Sequence, residues 1–267
     1  MRRRVPEVTT YVLVPGACHG GWWYQPLVDR LAAAGHAAVA VTPVGLDPDA
    51  AALERCVSLD DHVEQATAAM LATPADQDEQ AADGRDVVLV GHSYGGSIIS
   101  GVADRAPQRV RALVYLDAFV PENGDSAWSM TNDEERAWYI QDAGRTGVAV
   151  DPLPFFDPRA RPHPLGTLVQ RSKLTGAWRS VPAKHYIEAT GWPGESPLAA
   201  STAKVSADPE FTVHQWATGT TSCTTARPPV RLHRRPLTRP LTGSGYGTEL
   251  LVCIQPRLRR VRTGRPR

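Results

Sequence analysis

Residues 87–96 read Val-Val-Leu-Val-Gly-His-Ser-Tyr-Gly-Gly, and this stretch decides the fold. Its leading apolar residues predict a buried strand, and the spacing of apolar residues from Tyr94 to Ala106 predicts a helix. A Gly-x-Ser-x-Gly pattern is weak by itself, but between a strand and a helix it is typical of a sharp, strained turn that exposes a serine hydroxyl. Gly91 and Gly95 lack the Cβ atoms that would clash where the strand and the helix approach each other. Ser93 is therefore the candidate nucleophile.

A second decisive segment, residues 12–22, reads Val-Leu-Val-Pro-Gly-Ala-Cys-His-Gly-Gly-Trp and follows a strand predicted from Thr9 to Val14. When a serine attacks an acyl carbon, negative charge develops on the carbonyl oxygen, and backbone N–H groups can stabilise that charge. In proteins with a Gly-x-Ser-x-Gly turn between a strand and a helix, one of these N–H groups belongs to the loop after an early strand. The other belongs to the residue that follows the serine. We therefore expect Ala17 and Tyr94 to supply these two N–H groups.

The rest of the chain alternates short apolar strands with helical segments up to about residue 219, which predicts an α/β fold with a mostly parallel, doubly wound sheet. The alternation breaks from about Pro121 to Val181, where prolines and large aromatic residues predict a helical cap inserted over the site. The domain is thus expected to span residues 1–219. Further strands are predicted at Ala37–Val41, Val110–Leu116, Lys184–Ala189 and Phe211–Ala217, and further helices at Trp22–Ala34, Ser58–Leu71 and Ser196–Ala207.

Three segments of this chain resemble one protein family in both content and order. They are residues 16–36 (GACHGGWWYQPLVDRLAAAGH), 91–103 (GHSYGGSIISGVA) and 113–126 (LVYLDAFVPENGDS). They are similar to the α/β-hydrolase superfamily, and within it to the plant methylesterase and hydroxynitrile lyase family with its bacterial carboxylesterase relatives. The resemblance covers roughly residues 10–219.

The resemblance implies an α/β-hydrolase fold and a site whose members can be named in this chain. The lyases of the family carry a threonine at the position of Gly16, so its absence here favours ester hydrolysis over cyanohydrin cleavage. The chain also departs from the family at Pro15, where a histidine is usual. The implied members are Ser93 as nucleophile, Ala17 and Tyr94 as the oxyanion hole, and His19 and Trp22 as pocket residues, to which we add Trp128 from the predicted cap.

A serine nucleophile also needs an acid and a histidine, which follow it along this fold in that order. Asp117 ends the strand predicted after the nucleophile helix, a position that some α/β-hydrolases use for the acid. The more usual position follows the next strand, where the family has an aspartate and this chain has Gly191 and Trp192, with Glu195 three residues further on. We expect Asp117 to be the acid and keep Glu195 as the alternative.

The histidine is absent from its expected place after the last predicted strand. Family members have Gly-His-Asp there, whereas Gly219 is followed by Thr-Thr-Ser-Cys-Thr-Thr-Ala-Arg. From residue 220 to 267 the chain holds eleven arginines, no lysine and one acidic residue. A basic tail of this kind is often an arm that binds nucleic acid or a membrane. We expect neither partner here, because a frameshift accounts for both the tail and the missing histidine.

These observations bound the function. A chain of 267 residues with no apolar run near the ~20 residues of a membrane helix predicts a soluble, cytoplasmic α/β protein. Its four cysteines show neither zinc-site nor disulfide-framework spacing. We expect a serine carboxylic-ester hydrolase that acts on small esters through an acyl-enzyme on Ser93, without metal or cofactor. The alternative is a catalytically impaired homologue that only binds ligands, because a serine hydroxyl needs a base. The oligomeric state stays open.

The frameshift hypothesis makes a prediction about the gene. The codons for Gly219 to Arg227 can be written so that, read from the third base, they spell His-Asp-Leu-Met-His-Asp-Arg, which contains the family's histidine motif. We expect the coding DNA to spell that motif in the shifted frame. Sequencing the gene across this region checks the expectation, and codons that cannot produce the motif in another frame contradict it.

Overall fold

The computed structural model describes residues 8–49, 56–73, 85–143, 146–192 and 194–216. Within these ranges, six strands form one sheet in which every neighbouring pair is parallel. The predicted α/β fold with a parallel, doubly wound sheet is confirmed. The strands of this sheet are β1 (Thr10–Val14), β2 (Ala37–Ala40), β3 (Val87–Ser93), β4 (Val110–Ala118), β7 (Ala183–Ala189) and β8 (Phe211–Trp216); β5 (Ala149–Val150) and β6 (His163–Pro164) form a separate antiparallel pair.

Helices flank the sheet on both of its faces. They are α1 (Gln25–Ala33), α2 (Leu59–Leu71), α3 (Gly95–Arg105), α4 (Ala127–Met130), α5 (Asp133–Ala143), α6 (Leu165–Val169) and α7 (Ala199–Ala207), with 3-10 turns at Gly21–Tyr24, Pro107–Arg109 and Ala177–Ser180. None of the helices within the described ranges is long and apolar enough to cross a bilayer.

The strand order β2-β1-β3-β4-β7-β8 creates a switch point between β1 and β3. The chain passes from β1 outward to β2 and then returns to place β3 on the other side of β1. Connections that leave β1 and β3 therefore run to opposite faces, which opens a crevice at the carboxyl ends of these strands. Val14 pairs with Gly91 at that end, so the loop after β1 and the turn after β3 begin side by side.

The core follows from the alternation of side chains along the strands. Tyr11 and Leu13 of β1 pack on the side of α1, whereas Val12 and Val14 pack on the side of α2 and α3. All four side chains are fully buried. Because successive strand residues point to opposite faces, one strand contributes to both apolar layers, and the layers hold β1 and β3 rigidly beneath the crevice.

The segment between β4 and β7 contains the elements that were interpreted as a cap, from about Pro121 to Val181. It carries α4, α5 and α6 and also the β5–β6 pair, so it is not wholly helical. Trp138, Tyr139 and Trp178 of this segment are buried in the same apolar layer as α2 and α3. The segment is thus packed onto the main sheet domain through its aromatic side chains.

Two helices start later in the chain than the sequence predicts, and a proline lies near each start. The helix predicted from Trp22 begins with a 3-10 turn, and α1 starts only at Gln25 with Pro26 in its first turn, where a missing N–H costs nothing. The helix predicted from Ser196 starts at Ala199, beyond Pro197. β3 and β4 run beyond their predicted ends. The predicted strand end at Ala217, the C-terminal boundary at 219 and the tail lie outside the described residues.

The start of α2 provides a test of local stability. Ser58 accepts a hydrogen bond from the Asp61 N–H at 3.2 Å, and the Asp61 carboxylate accepts one from the Ser58 N–H at 2.8 Å, which is a complete capping box. We expect Ser58→Ala to lower the free energy of unfolding by about 1 kcal/mol. Urea denaturation measures this change, with Ser206→Ala, an exposed serine of α7, as the control. Equal effects of the two substitutions contradict the prediction.

Candidate active site

The turn after β3 has the strained geometry that the sequence predicts for a nucleophile. Ser93 has φ of +48°, in the left-handed region, and is half-buried. A Cβ atom on Gly91 would lie 2.6 Å from the Gly95 carbonyl oxygen, which is too close for any side chain. A Cβ atom on Gly95 would overlap the carbonyl oxygen of Val14. Gly95 therefore allows the helix to approach the end of β1, as well as the end of its own strand.

The loop after β1 lies directly against this turn. A Cβ atom on Gly16 would lie 3.1 Å from Ser93 Cβ and 2.8 Å from His92 Nδ1, so the backbone of the loop at Gly16 packs closely against these two side chains. The N–H groups of Ala17 and Tyr94 donate to no acceptor within the described ranges. Two unused backbone donors flanking a serine are what an oxyanion requires. A threonine at position 16 would also force neighbouring atoms to shift.

His19 lies in this loop and is buried. Its Nδ1 is 2.7 Å from the Ala17 carbonyl oxygen, and its ring centroid is 4.9 Å from that of Phe156 in the segment between β4 and β7. Burial lowers the pKa of His19. His19 therefore packs against the segment between β4 and β7 and forms a hydrogen bond with the backbone of its own loop.

The two tryptophans predicted for the pocket are both partly buried and contact different parts of the structure. The Trp22 ring is 5.5 Å from that of His19, and the guanidinium of Arg159 lies 4.1 Å from its centroid, a cation–π contact. Trp128 in α4 is partly buried, with its ring 6.4 Å from that of Tyr139. Trp22 therefore contacts His19 of the loop after β1, whereas Trp128 contacts Tyr139 of the segment between β4 and β7.

The structure separates the two candidate acids. Asp117 is only 2% exposed and has φ of +42°, and its Oδ2 accepts a hydrogen bond from Trp192 Nε1 at 3.0 Å. It lies at an irregularity in the pairing, since His92 pairs with Leu116 but Ser93 with Ala118. The extra residue bulges at the end of β4, beside the strand position of Ser93.

Glu195, the alternative acid, lies in the connection between β7 and α7. Its side chain is exposed, and its backbone carbonyl accepts a hydrogen bond from Asn132 Nδ2 at 3.3 Å. No hydrogen bond joins the Glu195 carboxylate to the nucleophile turn within the described residues.

No histidine within the described ranges forms a hydrogen bond with Ser93 Oγ. His92 stacks on Trp23 with ring centroids 4.6 Å apart, and burial together with the nearby His19 lowers its pKa to about 3. His214 lies on β8, with Nε2 at 3.4 Å from Nδ1 of His185. The position after Gly219, where the family has its histidine, lies outside the described residues.

The structure adds a buried polar cluster that the sequence did not indicate. Tyr94 Oη lies 2.9 Å from Nδ1 of His62, whose Nε2 lies 2.9 Å from the Val44 carbonyl oxygen. The ring of His163 lies 4.7 Å from that of Tyr94. His62 looks like one more polar residue of a capped helix start, and His163 sits in a proline-rich stretch without periodicity. Their contacts with Tyr94 are visible only in the folded structure.

One carboxylate of this region has a strongly shifted pKa. Burial raises the pKa of Glu135 to about 7, although Tyr139, whose hydroxyl donates to Glu135 Oε1 at 3.2 Å, partly opposes the shift. Glu135 lies on α5 and also raises the pKa of the Cys18 thiol, which burial already raises. Within the described ranges, no group of three or more His, Cys, Asp or Glu side chains is arranged to hold a metal ion.

Comparison with known sequences finds relatives of this chain. A sequence model described as the alpha/beta hydrolase family matches residues 11–257. The carbendazim hydrolyzing esterase of Nocardioides sp. (strain SG-4G) is 35% identical over 208 residues, which cover 69% of this chain and 81% of that enzyme. Salicylic acid-binding protein 2 of Nicotiana tabacum is 32% identical over 186 residues, or 67% of this chain and 68% of that protein.

Solved structures show the same fold. An extracellular alpha/beta-hydrolase from a Paenibacillus species superposes with a TM-score of 0.59 at 21% identity, and the match covers 78% of this chain and 90% of that chain. A polyneuridine aldehyde esterase superposes with a TM-score of 0.58 at 18% identity, over 80% of this chain and 92% of that one.

The shifted pKa of Glu135 predicts a pH-dependent stability. Its folded pKa of about 7 lies above the ordinary value of 4.5, so the stability it contributes is full below the ordinary pKa and is lost as pH rises through 7. The free energy of unfolding of Glu135→Gln minus that of wild type should therefore be larger at about pH 8 than at about pH 5. We expect this difference to increase by on the order of 1–2 kcal/mol.

Denaturant unfolding at both pH values measures this difference. The control is Glu134→Gln, which removes an exposed carboxylate from the same helix turn and tests the effect of net charge alone. A stability difference for Glu135→Gln that does not change with pH, or that matches the control, contradicts the prediction.

Proposed function

The chain belongs to the alpha/beta hydrolase family, and on that premise we propose that it is a carboxylic-ester hydrolase that forms its acyl-enzyme on Ser93. The observation that carries the proposal is the pair of unused N–H groups, Ala17 and Tyr94, on either side of a serine held at positive φ. Its esterase relatives support the reaction class. Ser93 as nucleophile and the two amides as the oxyanion hole are the specific part of the proposal.

In the proposed reaction, Ser93 Oγ loses its proton to a base and attacks the ester carbonyl carbon. The carbonyl oxygen becomes an oxyanion and accepts hydrogen bonds from the Ala17 and Tyr94 N–H groups. The free end of α3 adds its positive dipole at the same place. The alkoxy group leaves with a proton and the acyl group stays on Oγ. Water then releases the acid and restores the serine.

We assign Asp117 as the acid of this site. Its carboxylate is buried at the end of β4, beside the strand that ends in Ser93. A buried carboxylate in that place would orient and stabilise an imidazolium next to the nucleophile. The exposure of Glu195 makes it the weaker candidate.

The proposed substrate class is small esters with an aromatic or otherwise apolar part. Phe156 and Trp22 contact His19 beside the oxyanion loop, and Trp128 packs further into the same segment. Aromatic walls with few polar groups are typical of pockets for small apolar ligands.

A second candidate function is ligand binding without turnover. It is favoured by one observation: within the described ranges no histidine nitrogen is bonded to Ser93 Oγ. Without its base, a serine hydrolase retains only the rate enhancement that comes from the oxyanion hole and substrate binding, roughly 10³–10⁴ over water.

A burst experiment with p-nitrophenyl acetate tests the proposal. We expect wild type to release p-nitrophenol in a burst equal to the enzyme concentration, and Ser93→Ala to show none, because the acyl group has no acceptor oxygen. Mass spectrometry of the quenched protein should locate the acetyl group on Ser93. A burst that survives in Ser93→Ala overturns the assignment, and stoichiometric ligand binding without any burst favours the second candidate.

Matched carboxylate variants test the acid. We expect Asp117→Asn to slow acylation by at least about 100-fold if an imidazole takes the proton. Glu195→Gln, which removes an exposed carboxylate of similar size, should leave the rate within about twofold. The reverse order of effects would transfer the role to Glu195.

A further inference from the structure

The peptide group between Ala17 and Cys18 is held on both sides by histidine side chains. His19 Nδ1 lies 2.7 Å from the Ala17 carbonyl oxygen, and the Cys18 N–H donates to Nδ1 of His163 at 3.1 Å. The Cys18 carbonyl oxygen also accepts a hydrogen bond from the Arg161 N–H at 2.9 Å. Residues 161 and 163 belong to the segment between β4 and β7. This segment therefore forms hydrogen bonds with the backbone of the loop after β1.

The hydrogen bonds fix the tautomers of both histidines. A carbonyl oxygen only accepts, so His19 Nδ1 must carry a proton. Thr167 Oγ1 donates to the Pro164 carbonyl oxygen at 2.8 Å, and can therefore only accept from His163 Nε2, which lies 2.8 Å away. His163 thus carries its proton on Nε2. Its Nδ1 has the lone pair that the Cys18 N–H requires.

These contacts also determine where the Ala17 N–H points. The Gly16 carbonyl oxygen accepts a hydrogen bond from the His19 N–H at 3.3 Å. In a trans peptide the C=O and N–H groups point in opposite directions, so the Ala17 N–H is directed away from the His19 backbone. Cys18 has φ of +67°, which costs free energy in a residue with a side chain. The loop therefore depends on its hydrogen bonds to stay in this conformation.

We propose that His163 is a positioning residue for the oxyanion hole: by accepting the Cys18 N–H at Nδ1, it holds the loop so that the Ala17 N–H is aimed at the substrate oxygen. The inference rests on the proposed function, since the direction of this N–H matters only where an oxyanion forms. It gives the inserted segment a role in catalysis besides covering the site.

The surroundings of His163 suit this role. Its side chain is completely buried, and its strand β6 is anchored by pairing with β5. Burial lowers the pKa of His163 well below its usual range, and the neighbouring His62 and His19 lower it further. The imidazole therefore stays neutral, and its lone pair remains available to Cys18.

Two isosteric substitutions separate positioning from packing. In His163→Asn the side-chain oxygen takes the place of Nδ1 and can accept the Cys18 N–H. In His163→Leu a methyl group takes that place and cannot accept it. Both variants lose the hydrogen bond to Thr167; they have similar size and shape, and they differ in the acceptor at the position of Nδ1 and in the amide NH2 group of Asn, which Leu lacks. Circular dichroism and thermal midpoints establish that both are folded at the assay temperature.

We expect the acylation rate constant with p-nitrophenyl acetate to stay within about threefold of wild type in His163→Asn. In His163→Leu it should fall by about 10–100-fold, while the half-saturating substrate concentration changes little, because a misdirected N–H weakens transition-state binding and not substrate binding. Equal acylation rates in the two variants overturn the proposal, as does a loss that follows the thermal midpoints.

Amide hydrogen exchange provides a readout that does not need activity. The Cys18 N–H should exchange at least about 10-fold more slowly in wild type and His163→Asn than in His163→Leu. If wild type shows no burst but the exchange rates differ in this way, the proposed function fails while the hold of His163 on the loop stands. Equal exchange in all three proteins overturns the positioning role in either case.

Discussion

The structure depends on the close approach of three backbones at the carboxyl ends of β1 and β3. Gly91, Gly95 and Gly16 lie where a Cβ atom would meet a carbonyl oxygen or a neighbouring side chain at well under 3 Å. Because the sheet order places β1 beside β3, the loop after one strand and the turn after the other begin at the same level. The missing side chains allow the loop after β1, the turn at Ser93 and the start of α3 to lie against one another. A side chain at any of these glycines would force apart the segments that carry the proposed nucleophile and the proposed oxyanion hole.

Structural features that depend on residues close together in the sequence can be predicted from it, whereas contacts between residues far apart in the sequence cannot. The strands, the capped start of α2 and the strained turn at Ser93 follow from residues that are close in sequence, and they were predicted. The hydrogen bond between Trp192 and Asp117 joins residues 75 positions apart, and that between Cys18 and His163 joins residues 145 positions apart. No local pattern encodes such pairs. The sequence therefore predicts the nucleophile turn well, and the groups that support it poorly.

The buried histidines around the site share one physical property. Burial lowers the pKa values of His19, His92 and His163, so each is a neutral group, and in His163 one nitrogen accepts from the Cys18 N–H while the other lies within hydrogen-bond distance of Thr167. Such groups are suited to holding a backbone in place, since one nitrogen donates and the other accepts. A catalytic base needs the opposite environment, with a pKa near neutrality and a carboxylate that stabilises its charged form. His19, His92 and His163 are therefore poorly suited to act as the base that the proposed reaction needs.

The proposed acid, Asp117, lies one strand away from the position where the family has its aspartate. The family places its aspartate after the strand that corresponds to β7, where this chain has Trp192. An indole N–H can only donate, so Trp192 cannot serve as an acid but can satisfy one oxygen of a carboxylate. It does so for Asp117, whose strand β4 pairs with β7. A carboxylate moved by one strand remains at the same edge of the sheet, beside the strand that carries Ser93. The Trp192 N–H holds one oxygen of the buried Asp117 carboxylate at that edge, which is where the proposed mechanism needs an oriented acid.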